Sequence, residues 1–231
     1  MSSQAHQIAD KLAQLRGRVE LATTLAGRAP HSVKLLAVSK KFPAQTVALA
    51  AQAGQRDFGE NYADEALAKI RQLANPKLIW HFIGPLQSNK TRAIAEHFAW
   101  VHSLDREKIA RRLSEQRPDS LLPLQVCVQV NISAEDSKSG VAPSNALALC
   151  QLIQSLPRLQ LRGLMAIPAP PGAGADPAAP YRALAKLQHE ISEHCPGLDS
   201  LSAGMSADFE SAISAGSTIV RIGSQLFGAR H

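Results

Sequence analysis

The apolar residues of this chain follow two alternating patterns along its length. Residues 2 to about 28 carry apolar side chains at three- and four-residue spacing, which predicts a long amphipathic helix that ends near Gly27 and Pro30. Downstream, short apolar runs bounded by polar residues predict strands, and helical spacing follows them. The predicted strands cover residues 34–38, 57–58, 78–83, 100–102, 124–130, 161–167, 200–203 and 219–222. The predicted helices cover residues 44–53, 63–73, 88–98, 105–116, 143–156, 181–195 and 208–215.

This order of elements predicts the fold class. Eight strand-then-helix units favour a parallel sheet closed into a (β/α)₈ TIM barrel, with one extra helix at the amino end of the chain. An open doubly wound sheet is the alternative, but no GxGxxG motif follows the first strand. We expect residues 1–231 to form a single barrel domain.

Composition and charge narrow the class of protein. Hydrophobic residues make up 45% of the chain, and its net charge of +6 comes from scattered basic residues without interleaved aromatics, so a nucleic-acid partner is not supported. The three cysteines are widely spaced and form neither a CxxC motif nor a cluster with histidines, so we expect no metal site and no disulfide. No signal-like amino end and no apolar run of roughly 18 residues is present, so we expect no membrane partner and a cytoplasmic location.

Lys40 is the first candidate for chemistry. It follows the apolar run 35–38 and Ser39, at the carboxyl end of the first predicted strand. An amine at the mouth of an apolar pocket loses hydration, which favours its neutral form and lets it attack carbonyl groups. On its own, a strand-end lysine more often extends into solvent. In a barrel, however, the carboxyl ends of the strands form the face that carries the active site.

The same face would collect polar residues from other units. Phosphate sites in such barrels often lie after strands seven and eight, where Ser206 precedes a helix, Gly223 leaves room for close approach and Ser224 adds a donor. The spacing fits a helix cap at Ser206 and a chain turn at Gly223 equally well. Arg221, inside the eighth strand, needs an acceptor. The expected rim residues are Lys40, Asn61, His81, Asn131, Met165, Ser202, Met205, Ser206, Arg221, Gly223 and Ser224.

Two of these residues have plain structural alternatives. His81 lies inside a strand, where a hydrogen-bonded core histidine is the more common finding. Asn61 is equally suited to cap the helix that follows it.

Several motifs together resemble the pyridoxal-phosphate homeostasis protein family, over essentially the whole chain from about residue 30. The family is similar in fold to the barrel domain of alanine racemase and of related fold-type III enzymes. The motifs are AVSK (37–40), FGENY (58–62), HFIGPLQSNK (81–90), NIS (131–133), SKSG (137–140), GLMAI (163–167), GMS (204–206) and VRIG (220–223).

The resemblance implies a cofactor and its attachment. Lys40 would carry pyridoxal 5′-phosphate (PLP) as an internal aldimine, and Ser206, Gly223 and Ser224 would contact the phosphate. Arg221 would face the pyridine nitrogen.

The resemblance also implies which residues surround the pyridine ring of PLP and whether its nitrogen is protonated. Asn61, His81 and Met205 would line the pyridine ring. An arginine at the pyridine nitrogen keeps that nitrogen unprotonated, which makes the ring a poorer electron sink and disfavours carbanion chemistry.

The implied function is that of a PLP-binding protein in intracellular PLP homeostasis and delivery, with PLP-requiring apo-enzymes as partners. The alternative is a PLP-dependent amino-acid racemase of fold type III, which needs a proton acceptor on each face of its substrate. Only Lys40 is an obvious acceptor, and the chain ends at His231, before a second, β-rich domain that would supply the opposing tyrosine. We therefore expect a monomer with no clear catalytic activity, although weak racemase-like activity stays open. A barrel enzyme acting on a sugar phosphate is the third alternative.

Overall fold

The computed structural model describes residues 3–133, 139–169, 174 and 176–228. The first two residues of the SKSG motif, Ser137 and Lys138, lie outside them, as does part of the predicted loop at 168–180. The strands are β1 (Lys34–Val38), β2 (Asp57–Glu60), β3 (Ile79–Phe82), β4 (Trp100–Leu104), β5 (Leu124–Gln129), β6 (Leu159–Met165), β7 (Ser200–Met205) and β8 (Ile219–Ile222). The helices are α1 (Ser3–Leu25), α2 (Ala44–Gln52), α3 (Ala63–Leu73), α4 (Thr91–His97), α5 (Glu107–Gln116), α6 (Pro143–Gln154), α7 (Ala179–Ser192), α8 (Phe209–Ser214) and α9 (Ser224–Phe227).

The eight strands close into one parallel barrel in sequence order, so the predicted fold class is confirmed. β1 closes the ring by pairing with β8, where Leu36 lies opposite Arg221. On its other side β1 pairs with β2, where Ala37 lies opposite Phe58. The predicted extra helix is α1, which packs against α2, α8 and α9 on the outside of the barrel.

Alternation along the strands divides the core into two layers. Leu35 and Ala37 of β1 belong to the large cluster between the sheet and the helices, whereas Leu36 and Val38 pack inside the barrel. On β8, Ile219 packs inside, and Arg221 is two residues further along the same strand. The side chain of Arg221 is therefore expected on the inner face, where it is buried.

The ends of several elements differ from the predictions, and local hydrogen bonds explain two of the differences. α4 begins at Thr91 and not at Ser88, because the preceding residues form a turn in which the Lys90 amide donates to Gln87 O (3.0 Å). β6 covers residues 159–165 rather than 161–167, since Leu159 and Gln160 pair with β5.

β7 continues two residues beyond its predicted end, as far as Met205. Gly204 makes this extension compatible with α8. It has a positive φ of 89°, and a Cβ atom there would lie 2.6 Å from Ala212 Cβ. Within the described part of the chain, no helix is both long and apolar enough to span a bilayer.

Candidate functional site

A cavity of about 280 Å³ opens at the carboxyl ends of the strands. Its volume is near the lower end of the roughly 300–1,000 Å³ typical of ligand pockets, which suits a small ligand. Of the eight residues that the family resemblance assigns to the cofactor, seven line it and His81 is the exception. The lining residues are Val38, Lys40, Asn61, Ile83, Ile167, Met205, Ser206, Ala207, Arg221, Gly223 and Ser224.

The lining combines cationic and polar groups with apolar side chains. None of these eleven residues is acidic, while Lys40 and Arg221 bring positive charge. Ile83 and Ile167 supply apolar side chains that were not predicted to belong to the site. Such a lining favours an anionic ligand with an apolar body.

A larger cavity of about 460 Å³ lies at the opposite, amino end of the barrel, between α1 and the first residues of β1 and β2. Barrel active sites form at the carboxyl ends of the strands. The smaller cavity is therefore the better candidate for the chemistry of this protein.

Lys40 lies in the turn that follows β1, and it is half-buried at the cavity. Two backbone hydrogen bonds shape this turn: the Ser39 amide donates to Gly59 O (3.0 Å) and the Phe42 amide donates to Ser39 O (3.1 Å). Lys41 adopts a left-handed conformation with φ of 65°, which is uncommon for a residue other than glycine. A backbone of this kind persists only where its surroundings hold it.

An ionic network centred on the buried Lys69 stabilises the turn that carries Lys40. Lys69 Nζ donates to Ser39 O (2.7 Å), Glu60 Oε1 (2.6 Å) and Glu65 Oε1 (2.6 Å). Glu65 Oε1 also accepts from the Lys41 amide (2.6 Å), and Glu60 Oε1 accepts from Ser39 Oγ (2.6 Å). The network therefore fixes the backbone on both sides of the cavity lysine.

Burial dominates the electrostatics of this network. It raises the pKa of Glu60 above the usual carboxyl range, although Lys69 and the Ser39 hydroxyl act in the opposite direction. Glu60 Oε2 is buried and has no hydrogen-bond partner within the described residues. This network was not predicted; its signal in the sequence is the i,i+4 pair Glu65 and Lys69 on α3.

Asn61 follows β2 and presents an unsatisfied acceptor at the cavity. Its Oδ1 atom is buried and has no hydrogen-bond partner in the described part of the chain. The residue does not cap α3, because Tyr62 occupies the N-cap position. Gly84 lets the loop after β3 pack closely on Asn61, since a Cβ at Gly84 would lie 2.1 Å from Asn61 O. A buried acceptor without a partner is costly, and a ligand with a donor group would satisfy it.

The segments after β7 and β8, which were predicted to bind a phosphate, are in contact at Ser206 and Ser224. Ser224 Oγ lies 3.4 Å from Ser206 Oγ, and Gln225 Nε2 donates to Ser206 O (2.7 Å). Gly223 precedes α9, which begins at Ser224. Ser206 precedes α8 as expected but does not cap it, because Asp208 is the N-cap residue of that helix.

The turn that carries Ser206 is held by Asp208, the N-cap residue of α8. Asp208 Oδ1 accepts from the Met205 amide (2.6 Å), and Asp208 Oδ2 accepts from the Tyr181 hydroxyl (2.5 Å). Met205 is partly exposed at the cavity rim, with 38% of its surface accessible.

Arg221 has the acceptors that its position on β8 requires, and all of them are neutral. Its Nη1 atom donates to Ser202 O (2.7 Å) and Ser202 Oγ (2.9 Å), and its Nη2 atom donates to Ala166 O (2.9 Å). Burial lowers the pKa of Arg221 to about 10, so the guanidinium stays charged at neutral pH. The three bonds engage three of its five N–H groups.

The structure does not bring His81 to the cavity. Its ring is fully buried, with Nε2 3.0 Å from Asp57 Oδ1 and Nδ1 2.9 Å from His102 Nε2. The ring also stacks on Trp100, with 5.4 Å between ring centroids. Burial lowers the pKa of His81 despite the nearby carboxylate. The expectation that His81 lines the ring of a cofactor is therefore corrected: the residue is the hydrogen-bonded core histidine of the alternative interpretation.

The sequence of this chain is similar to a known protein family and to several curated proteins. A family model described as the alanine racemase N-terminal domain matches residues 11–231. Curated proteins named pyridoxal phosphate homeostasis protein are similar: that of Pseudomonas aeruginosa is 57% identical, with 96% of each chain covered. The homologue of Escherichia coli K12 is 51% identical, with 97% of each chain covered.

Several solved structures are similar to this protein over nearly the whole of this chain. PipY of Synechococcus elongatus, in a structure with PLP bound, is 38% identical, has a TM-score of 0.82, and is covered over 96% of this chain and 100% of its own. Alanine racemase of Streptomyces coelicolor is 17% identical with a TM-score of 0.74, covering 94% of this chain and 58% of its own. The second likeness concerns the fold alone.

Proposed function

This chain belongs to the pyridoxal phosphate homeostasis protein family, and from this premise we propose that it binds PLP in the cavity at the carboxyl end of the barrel. Its role is to hold the cofactor reversibly at Lys40 and so to take part in PLP homeostasis. The observation that carries the proposal is the convergence of an amine, a guanidinium and two hydroxyls on one cavity, from the ends of β1, β7 and β8.

The residues of the cavity fit the chemistry of PLP. The ligand supplies an aldehyde that condenses reversibly with a primary amine and releases water. Asn61 Oδ1, buried and unsatisfied within the described residues, offers an acceptor to a donor group of the ligand. The lack of acidic lining residues avoids repulsion of a phosphate.

We assign the residues as follows. The hydroxyls of Ser206 and Ser224 and the backbone at Gly223 bind the phosphate, since the two hydroxyls lie 3.4 Å apart. Arg221 faces the ring nitrogen from the cavity floor, and Lys40 provides the amine. Met205 lies beside the ring at the rim.

Holding the cofactor, rather than racemisation, is the role that the cavity supports. A racemase needs a second proton acceptor opposite its lysine. Among the described residues that line the cavity, none besides Lys40 is a base suited to this task. Tyr62 is exposed and does not line this cavity, and Tyr181 donates its hydroxyl proton to Asp208. A weak racemase-like activity would use Lys40 alone.

The proposal extends to the setting in which the protein acts. We propose a single barrel domain, residues 1–231, that is a monomer in the cytoplasm and passes PLP to PLP-requiring apo-enzymes. Cys127, Cys150 and Cys195 are buried free thiols, as is usual in a reducing compartment.

Absorption spectroscopy with two neighbouring lysine variants tests the proposal. Wild-type protein mixed with PLP is expected to develop a visible absorption band that differs from that of free PLP, and Lys40→Ala is expected to lack it. Lys41→Ala is the matched control, because Lys41 is adjacent and exposed but absent from the cavity lining. The proposal fails if the wild type develops no such band, or if Lys40→Ala keeps it.

A further inference from the structure

A continuous line of polar side chains crosses the interior of the barrel, and all of them except the partly exposed Asp57 are buried. We call it the polar column, and it consists of Asp57, His81, His102, Ser202 and Arg221. The column begins with the hydrogen bond between Asp57 and His81. It continues through three more hydrogen bonds, which join His81 Nδ1 to His102 Nε2 (2.9 Å), His102 Nδ1 to Ser202 Oγ (2.8 Å) and Ser202 Oγ to Arg221 Nη1 (2.9 Å).

The polar column joins the two ends of the barrel. Asp57 lines the large cavity at the amino end, where its Oδ1 atom also accepts from Lys34 Nζ (2.7 Å). Arg221 lines the candidate cofactor cavity at the carboxyl end. His102 and Ser202 lie between them and are fully buried.

The two ends of the polar column determine the direction of every hydrogen bond within it. A guanidinium can only donate, and an ionised carboxylate can only accept. Ser202 Oγ therefore accepts from Arg221 and has its own proton to donate to His102 Nδ1. A neutral imidazole carries one N–H group, so His102 donates from Nε2 to His81 Nδ1. His81 then donates from Nε2 to Asp57.

The electrostatic surroundings of these groups agree with this directed chain. Burial lowers the pKa of His81, and it lowers the pKa of His102 well below its usual value, with the charges of Arg221 and Lys34 acting in the same direction. Burial alone would raise the pKa of Asp57, but its bonds and charge interactions with His81 and Lys34 lower it. Both imidazoles are therefore neutral at neutral pH, and the carboxylate is charged.

We propose that the polar column is a positioning device: it presents the Ser202 hydroxyl as an acceptor to Arg221 and so holds the guanidinium in one orientation at the floor of the cavity. His81 and His102 act on the site through Ser202 and do not touch a ligand. The effect on PLP rests on the proposed function, whereas the directed chain and the orientation of Arg221 are properties of the protein without a ligand.

The need for such a device follows from the surroundings of Arg221. Within the described residues its hydrogen-bond acceptors are two backbone carbonyls and one hydroxyl, and no carboxylate pairs with it. A hydroxyl that donates onward to a chain ending in a carboxylate is a stronger acceptor than an isolated hydroxyl, because hydrogen bonds in a chain polarise one another. Ser202 supplies that acceptor only while His102 Nδ1 accepts its proton.

The first experiment uses the protein without cofactor. Imidazole ¹⁵N shifts measured by NMR at neutral pH are expected to show both His81 and His102 as neutral rings protonated on Nε2. An Nδ1-protonated ring or an imidazolium at either position would overturn the directed chain. The outcome is independent of PLP, so it separates failure of this inference from failure of the proposed function.

The second experiment breaks the polar column at one atom. Ser202→Ala removes the hydroxyl, and Ser202→Thr retains it. Ser217→Ala is the matched control, because Ser217 is fully buried near the same strands but its hydroxyl bonds only to backbone carbonyls of β7 and β8 in the described structure.

In Ser202→Ala without cofactor, we expect the Arg221 Nη protons to exchange faster and lose their resolved NMR signals, while Ser202→Thr and Ser217→Ala keep them. In PLP-loaded protein, the dissociation rate should rise roughly three- to tenfold in Ser202→Ala, which corresponds to the net contribution of one typical hydrogen bond. The visible band should also shift in that variant alone. Equal behaviour of Ser202→Ala and Ser217→Ala in the Arg221 signals would overturn the positioning role, whether or not PLP binds.

Discussion

At the scale of single residues, the site consists of groups whose hydrogen-bonding capacity the protein leaves partly unused. Asn61 Oδ1 is buried without a partner in the described structure, and Arg221 engages three of its N–H groups. Both residues line the cavity at Lys40. A protein usually satisfies its buried polar groups, so unused capacity at a cavity indicates a ligand that completes it.

Asn61 permits a test that separates stability from binding. Asn61→Ala removes an acceptor whose burial costs about 1–3 kcal/mol when unsatisfied. We therefore expect the free energy of unfolding of the cofactor-free protein to fall by less than about 1 kcal/mol, or to rise, while PLP retention weakens. Urea unfolding and PLP dissociation measure the two effects. A large loss of stability with unchanged retention would contradict the assignment.

At the scale of elements, the first two strands and α3 cooperate to position the lysine turn. β1 ends before the turn, β2 contributes Glu60, and α3 contributes Glu65 and Lys69. The Glu60–Lys69 pair is almost entirely buried, with side-chain exposures of 0% and 5%. Removal of one partner from a buried pair leaves an uncompensated charge.

Lys69→Met is therefore expected to destabilise the protein by about 3–5 kcal/mol and to slow the loading of PLP. Lys186→Met is the matched control, because Lys186 pairs with Glu190 at the same i,i+4 spacing on an exposed helix face. Such surface pairs contribute about 0.3–0.5 kcal/mol. Urea unfolding compares the two variants, and similar losses in both would show that the buried network is not needed.

The pH dependence of the Lys69→Met defect has a definite sign. The folded-state pKa of Glu60 is raised by burial, and loss of Lys69 removes a group that lowers it. The folded state then binds this proton more tightly than the unfolded state, so the stability of the variant increases as the pH falls towards the unfolded pKa of about 4.3. The difference from wild type is expected to shrink on acidification, in urea unfolding at neutral and mildly acidic pH.

Individual elements show what the sequence could and could not predict. β1 and β8 have their predicted bounds, because each is a short apolar run with polar residues at its end. The cavity residues on these strands followed from the geometry of the barrel. The polar column did not, because Asp57, His81 and His102 lie on three different strands and only the register between strands brings them into contact.

At the scale of the whole molecule, the barrel interior carries a polar connection between its two ends. Two neutral imidazoles lie inside it among apolar residues such as Met165 and Cys127. The fold therefore keeps His81 and His102 uncharged at a pH where both would be partly charged in an unfolded chain. This links the stability of the barrel to pH.

We expect wild-type protein to lose stability as the pH falls from neutral to about 5.5. The folded-state pKa values of His81 and His102 are lowered, so the unfolded state binds more protons below its pKa of about 6.5, and stability falls with pH. Each buried histidine contributes up to about 1.4 kcal/mol per pH unit below that value. His102→Gln should reduce the loss, whereas His194→Gln, at an exposed position, should leave it unchanged. An equal pH dependence in His102→Gln and wild type would contradict the buried neutral pair.

The central claim is that PLP is held covalently at Lys40. The most direct measurement is reduction of the PLP-loaded protein with borohydride, followed by peptide mass mapping. We expect one reduced PLP adduct, located on the side chain of Lys40, and its absence from Lys40→Ala treated in the same way. Wild-type protein that carries the adduct on another lysine, or none after loading, would contradict the account.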